Sequence, residues 1–268
     1  MVFKDKIYKY KKHIIITSII VIIIGLGLGL GLGLGLKSSV SDCDLEDCGF
    51  TSCNQDVEVC KIKVACVGDS ITWGAGVMNT RTTESYPAQL GKLLGDKYSV
   101  CNFGCPGRTM SRKGAYPYNI TNGFTLAISG LPNIVVIMLG TNDSIPDNWI
   151  NQDSFEAEAT WMINQFLNIA SKPKVYICLP PPIFCNNDMY LQKVSLLNDN
   201  IIPGLKNVVN NFNNNGINNV HVINVYNKFL DKEGNPNPAY ASYFPDCLHP
   251  NKEGLAIIAE TVKQAIIQ

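Results

Sequence analysis

From Ile62 to the C-terminus, short apolar runs alternate with stretches whose apolar positions recur every three or four residues. Residues 62–67, 98–103, 133–139, 174–179 and 220–225 are rich in Val and Ile and too short for helices, so they predict strands. Residues 133–139 are nearly all apolar, as a central strand covered on both faces requires. Residues 87–94, 154–169, 194–209 and 254–267 predict helices. In the second of these, Phe155, Ala159, Met162, Ile163, Phe166 and Ile169 share one face, and Ser154 suits the N-cap. Pro203 should kink or end the third, because it has no N–H and its ring crowds the preceding turn. Residues 207–219 are asparagine-heavy, lack a core pattern, and read as a frayed helix end and loop. Strands alternating with helices predict a parallel sheet with helices on both faces and a site at the strands' carboxyl ends.

The N-terminal quarter follows another pattern. Residues 14–36 are uncharged and almost wholly apolar. As a helix rising about 1.5 Å per residue they reach about 35 Å, enough for a hydrocarbon core of about 30 Å. Gly and Leu alternate strictly from Gly25 to Leu36. Such a period also fits a strand, but an isolated strand in lipid leaves its backbone unpaired. A helix is the expected form. Gly25, Gly29 and Gly33 repeat a small-residue spacing that lets two membrane helices pair into a homodimer, although a simple-sequence expansion explains the same residues. The run is longer than a signal-peptide core and no Ala-x-Ala follows, which favours an uncleaved anchor over a cleaved signal. Lys4, Lys6, Lys9, Lys11 and Lys12 precede it, and Asp42, Asp44, Glu46 and Asp47 follow it. That asymmetry predicts a type II protein with a cytosolic tail (1–13), a transmembrane anchor (14–36), an acidic stem (37–61) and a lumenal or external domain (62–268).

The formal net charge is zero, so the chain makes no case for nucleic-acid binding. Ten cysteines suit the oxidising side of a membrane. Cys43, Cys48, Cys53 and Cys60 crowd the stem, where disulfides can substitute for a core; zinc is the alternative, but no Cys-x-x-Cys pair is present. Cys66 and Cys178 fall in strand-like runs and read as buried thiols. Cys185 and Cys247 fall in loops near the chemistry described next, which leaves a bridge between them open. Asn119, Ile120 and Thr121 form a glycosylation sequon; Asn142, Asp143 and Ser144 match too but should be enclosed.

Candidate chemistry collects where the predicted strands end. The first is followed by Gly68, Asp69, Ser70, Ile71 and Thr72; the second ends in Asn102, Phe103, Gly104, Cys105, Pro106 and Gly107; the third is followed by Gly140, Thr141, Asn142 and Asp143. Asp246 stands three residues before His249, just ahead of the last helix. A serine hydroxyl needs a base to take its proton, and the base needs a third group to fix its tautomer. A tetrahedral intermediate needs donors on its oxyanion, which a glycine-bearing turn and an asparagine amide supply. An α/β-hydrolase elbow is less suitable, because Thr72 stands where its final glycine belongs.

These motifs resemble the SGNH, or GDSL-type, serine hydrolases over residues 62–268, with Ser70, Gly107, Asn142 and His249 at the four signature positions and Ile71 where leucine often stands. The resemblance implies a three-layer α/β/α, flavodoxin-like domain with a mostly parallel five-stranded sheet, and no metal or cofactor. It implies Ser70 as nucleophile, His249 as general base then acid, and Asp246 as orienting carboxylate. The oxyanion hole would comprise the Ser70 and Gly107 N–H groups and the Asn142 amide. The text around Ser85–Leu90, Met138–Ser144, Asn148, Trp149 and 179–182 resembles a subgroup associated with sialate- and xylan-type O-acetylesterases. An acylated glycan is the expected substrate, with Trp73, Arg108, Trp149 and Phe184 as candidate rim residues. Asp69 and Asp143 are expected to brace loops, and His13 and His221 to be structural. A lipase or lysophospholipase is the runner-up, and an inactive membrane-displayed binding module the rival from another class.

Overall fold

Five strands form one parallel sheet in the computed structural model: β1 (Ile62–Gly68), β2 (Tyr98–Gly104), β3 (Ile134–Met138), β4 (Lys174–Cys178) and β5 (Val220–Ile223), in the order β2-β1-β3-β4-β5. The structure describes residues 61–185 and 188–268. The expected tail, membrane span and stem cysteines therefore lie outside the described residues. Among the described residues, no helix is long and apolar enough to cross a membrane.

The helices are α1 (Ser70–Trp73), α2 (Arg81–Glu84), α3 (Tyr86–Leu94), α4 (Asn122–Ser129), α5 (Gln152–Leu167), α6 (Asp188–Leu196), α7 (Ile202–Asn214) and α8 (Lys252–Ile266). Side-chain alternation along the strands divides the core into two layers. Ala65 and Val67 of β1, Val135 and Ile137 of β3, and Val175 and Ile177 of β4 pack with α5 and α7. Their neighbours Val64, Cys66, Val136, Met138, Tyr176 and Cys178 pack instead with Leu90 of α3 and Leu255, Ile258 and Val262 of α8. Helices thus cover both faces, and the strand order reverses where β1 separates β2 from β3. Ligands of doubly wound sheets sit at that reversal, beyond the carboxyl ends of the strands.

Three local expectations need correction. The asparagine-rich run does not fray at once: α7 continues to Asn214, with Leu205, Val208, Val209 and Phe212 buried along one face. Its asparagines occupy the remaining faces, so a narrow apolar stripe was masked by composition. Pro203 ends no helical path. One π turn, Leu197–Ile201, links α6 to α7 and leaves Pro203 in the first turn, where an N–H partner is not needed. The N-cap of α5 is Asn151, whose side chain accepts from the Ser154 N–H at 2.8 Å.

Candidate active site

Ser70 opens α1 directly after β1, and Asp69 caps that helix by accepting from the Ile71 N–H at 2.9 Å. The turn is tight. A Cβ on Gly68 would press on Thr72 and stand 2.6 Å from the Met138 carbonyl oxygen. Asn102, near the end of β2, donates its amide to the Thr72 carbonyl at 2.9 Å and the Trp73 carbonyl at 3.3 Å. Its own oxygen accepts from the Gly104 N–H at 2.9 Å. The Ser70 turn and the neighbouring strand end are therefore fastened together.

On the other side, Asp246 organises the turn that carries His249. Its Oδ1 accepts the backbone N–H groups of Leu248 at 3.0 Å and His249 at 2.6 Å, while Oδ2 meets His249 Nδ1 at 2.6 Å. His249 Nε2 lies 2.8 Å from Ser70 Oγ. An ionised carboxylate only accepts, so Nδ1 carries the proton and Nε2 offers its lone pair to the Ser70 hydroxyl. Burial works against the charge on Asp246, but the His249 N–H, the His249 ring and the Leu248 N–H outweigh it and hold the carboxyl below its ordinary range.

Gly107 and Asn142 face the same end of the sheet. Gly107 has φ +74°, and a Cβ there would meet nothing within 4 Å, so backbone conformation selects this glycine. The N–H groups of Ser70 and Gly107 meet no protein acceptor among the described residues. Asn142 is 8% exposed; its amide donates to the Arg108 carbonyl at 3.1 Å and stands 3.5 Å from Asp69 Oδ2. It therefore ties the β1 turn to the loop after β2. Asn148 steadies it by donating to the Asn142 carbonyl at 2.8 Å and accepting from the Ala115 N–H at 2.8 Å.

Two buried carboxylates lie beneath. Asp143 accepts the N–H groups of Met110 and Ser111, each at 2.8 Å, which fixes the loop that carries Gly107. Burial pushes its carboxyl up to about 7 despite those bonds, and the nearby Asp69 charge adds to the rise. Burial likewise pushes Asp69 up to about 6, against the Ile71 N–H and the His249 and Lys193 charges.

The rim candidates divide. Trp73 is half-buried with the Arg81 guanidinium 4.4 Å above its ring, and Arg108 lies 6.0 Å from the exposed Tyr116 ring. Trp149 packs inward, 5.8 Å from Phe155, and Phe184 lies 4.5 Å from Phe244. The enclosed Asn142 and Ser144 are buried, whereas Asn119 is half-buried. His221 stacks 5.2 Å from Tyr176 at the far edge of the sheet. Among the described residues, no group of three or more His, Cys, Asp or Glu side chains is arranged to hold a metal.

Sequence reasoning missed Lys193. It lies on α6, is 7% exposed, forms no ion pair among the described residues, and interacts electrostatically with Asp69 and Asp246. Burial lowers its ammonium's pKa while those two carboxylates raise it. Nothing in its local sequence marks it, because only the fold brings α6 to the site. Asn102 belongs to the motif that ends the second strand, but its bracing of the Ser70 turn emerges only from the fold.

Comparison with known proteins identifies the family and the fold. Residues 66–257 match the model of the GDSL-like Lipase/Acylhydrolase family. A protein of Xylanibacter ruminicola named acetylxylan esterase is 34% identical over 222 residues, or 76% of this chain and 43% of that protein. The chain thus spans less than half the length of that relative. A carbohydrate acetylesterase from Sinorhizobium meliloti shares the fold with TM-score 0.55 at 20% identity, covering 77% of this chain and 99% of the other. A family two carbohydrate esterase from Clostridium thermocellum, solved with cellohexaose, has TM-score 0.54 at 19% identity, covering 76% and 63% respectively. By its matched segment, its sheet order and its motif residues, the chain belongs to the GDSL-like lipase/acylhydrolase family.

Proposed function

We propose that this chain is a serine ester hydrolase that removes acetyl groups from carbohydrate through a covalent acyl-enzyme. One observation carries the reading: the continuous hydrogen-bonded path from Ser70 Oγ to His249 (2.8 Å) and from His249 to Asp246 (2.6 Å), at the strands' carboxyl ends. In the proposed cycle, Ser70 Oγ attacks the ester carbonyl carbon as its proton passes to His249 Nε2. The Ser70 and Gly107 N–H groups and the Asn142 amide stabilise the oxyanion, and Asp246 stabilises the imidazolium. His249 then protonates the leaving sugar oxygen as the C–O bond breaks. Water enters, gives its proton to His249, and attacks the acetyl carbonyl; Ser70 leaves with that proton, and acetate is released.

The carbohydrate part of the reading rests on the name of the 34%-identical relative, and it is supported by the half-buried Trp73 three residues after Ser70 and by the Arg108–Tyr116 pair beside Gly107 in sequence. A direct test compares acetate released from acetylated xylo-oligosaccharides with hydrolysis of an acyl series from acetyl to palmitoyl. Acetylated oligosaccharide should be preferred; preference for long acyl chains would instead favour the lipase alternative. Loss of all hydrolysis in folded protein would favour the binding module.

For location, we propose a single-pass type II protein with this domain outside the cytosol, supported by the lysines ahead of residues 14–36 and by an oxidised cysteine pair in the domain. Protease added to the domain's side of sealed vesicles should remove the domain and spare an N-terminal tag. A protected domain would contradict the orientation.

A further inference from the structure

The turn carrying Asp246 and His249 is not itself part of a helix or strand, although Cys247 and Leu248 pack against the core. After β5 the chain passes through short 3-10 turns at Tyr226–Phe229 and Pro238–Tyr243 and becomes helical again only at Lys252. Cys247 lies inside the turn with φ +59°, a left-handed conformation that a side-chain-bearing residue rarely adopts. Hydrogen bonds within the turn fix its shape, and the Pro250 carbonyl packs against Gly76 on the Ser70 side.

A covalent link ties the same turn to the end of β4. Cys247 is disulfide-bonded to Cys185 across 62 residues of sequence, with Cα atoms 5.0 Å apart. Cys185 is 6% exposed and lies in the segment leaving β4, whose residues Val175 to Cys178 are buried in the sheet. Beside the bridge, the Phe184 N–H donates to the Cys247 carbonyl at 2.8 Å, and the Phe184 ring lies 4.5 Å from Phe244. The Cys247 N–H in turn donates to the Phe244 carbonyl at 2.8 Å. The one covalent link in this patch thus joins the sheet to the residue directly after Asp246 and two before His249.

We propose that the Cys185–Cys247 bridge is a positioning element of the triad: it fixes the Asp246–His249 turn against the β4 end of the sheet, and opening it lowers turnover. The proposal rests on the esterase reading. Opening consumes two equivalents of a thiol reductant. A reductant thiolate attacks one sulfur, the S–S bond breaks, and a second reductant thiol resolves the mixed disulfide. Two electrons and two protons end on the cysteines as thiols, and the reductant leaves as its own disulfide. Cys66 and Cys178 do not compete in this exchange, because both are buried and burial pushes the Cys66 thiol up to about 12.

A misplacement of about 1 Å at a catalytic group costs about 10²-fold in rate, so a loosened turn should register in kcat. The test is the Cys185→Ser/Cys247→Ser variant, assayed on a small acetyl ester well below its own melting temperature. Turnover should fall about tenfold or more with KM changed less than about twofold. A bridge that only staples the fold would lower Tm and leave kcat intact, and that result overturns the proposal. Dithiothreitol should lower wild-type kcat reversibly and leave the double variant unaffected. This comparison is needed because Cys101 and Cys105 are also disulfide-bonded. Equal losses in both proteins would assign the effect to those other bridges and overturn the claim. If the variant does not fold, differential alkylation of partly reduced wild type reads the same point: kcat lost should track the fraction of this bridge opened. Full activity with the bridge open refutes it. Failure of the esterase reading looks different, because wild type itself would then be inert and Ser70 unreactive to a fluorophosphonate.

Discussion

Replacing Asp246 by asparagine separates the orienting carboxylate from the turn it builds. Oδ1 accepts two backbone N–H groups, from Leu248 at 3.0 Å and His249 at 2.6 Å, and an amide oxygen can keep both. Oδ2 faces His249 Nδ1 at 2.6 Å; there the amide presents its NH₂, a donor against a donor. The imidazole can relieve this by moving its proton to Nε2, which takes away the acceptor that stands 2.8 Å from Ser70 Oγ. The ring remains, but in the wrong tautomer. In a well-buried triad that exchange costs about 10⁴ in kcat. Here the Asp246 side chain is 56% exposed and that of His249 22%, so water competes for both partners and screens the pair. The expected loss is therefore smaller, about 10²–10³ in kcat/KM, or about 2.7–4 kcal/mol. Steady-state hydrolysis of p-nitrophenyl acetate measures it, with circular dichroism to verify folding. Asp246→Ala removes the bias toward the wrong tautomer, because water then satisfies either one, but it also loses the two turn bonds and should lower Tm. A folded Asp246→Asn protein within about threefold of wild type would refute the tautomer argument. A loss as deep as that of Ser70→Ala would refute the screening argument.

If Asn142 donates to the oxyanion as proposed, Asn142→Ala should lower kcat by about 10²–10³ in the same assay; an unchanged kcat would exclude Asn142 from the oxyanion hole. Stability should depend on pH through the buried carboxylates. Asp69 and Asp143 rise from an ordinary 3.8 to about 6 and about 7, so the folded state binds more protons than the unfolded chain in that window. Unfolding free energy should then fall as pH rises from about 4 to about 7. Asp246 and Glu158 act below that window: each carboxyl is held low, so its contribution is lost as the solution becomes strongly acidic. Urea unfolding should therefore give greater stability at pH 5 than at pH 8, and the reverse order would contradict the assignment. Lys193→Met should extend the decline to higher pH, because the Lys193 charge helps to hold Asp69 down; an unchanged profile would argue against that coupling.

The parts of this fold that were legible in the sequence are those whose cause is local. β3 declared itself as an unbroken apolar run because both of its faces are covered, and its buried pattern matches. Ser70, Asn142 and His249 were legible because each follows or precedes an element at a turn with few suitable residue types. Local signals failed where tertiary context decides. The stripe Leu205, Val208, Val209 and Phe212 was hidden among asparagines that simply point elsewhere. Lys193 could not be picked out, because its electrostatic interaction with Asp69 and Asp246 joins residues far apart in the sequence. Residue type alone marked Trp149 and Phe184 as candidate rim aromatics; their ring partners Phe155 and Phe244, and the half-burial both share with Trp73, became visible only in the fold. The Cys185–Cys247 pairing was open in the sequence because 62 positions separate the residues, and only the fold brings their Cα atoms to 5.0 Å.

The central claim is that Ser70 is a nucleophile activated by His249. Intact-protein mass spectrometry after exposure to a fluorophosphonate, run beside acetyl-ester hydrolysis by wild type and Ser70→Ala, tests it most directly. Wild type should gain one adduct that maps to Ser70 and lose its activity in step with labelling. Ser70→Ala should remain folded, take up no adduct, and fall by about 10⁴–10⁶ in kcat. A folded Ser70→Ala protein that still cleaves the acetyl ester at near-wild-type rate, or an active wild type whose adduct maps elsewhere, would contradict the account.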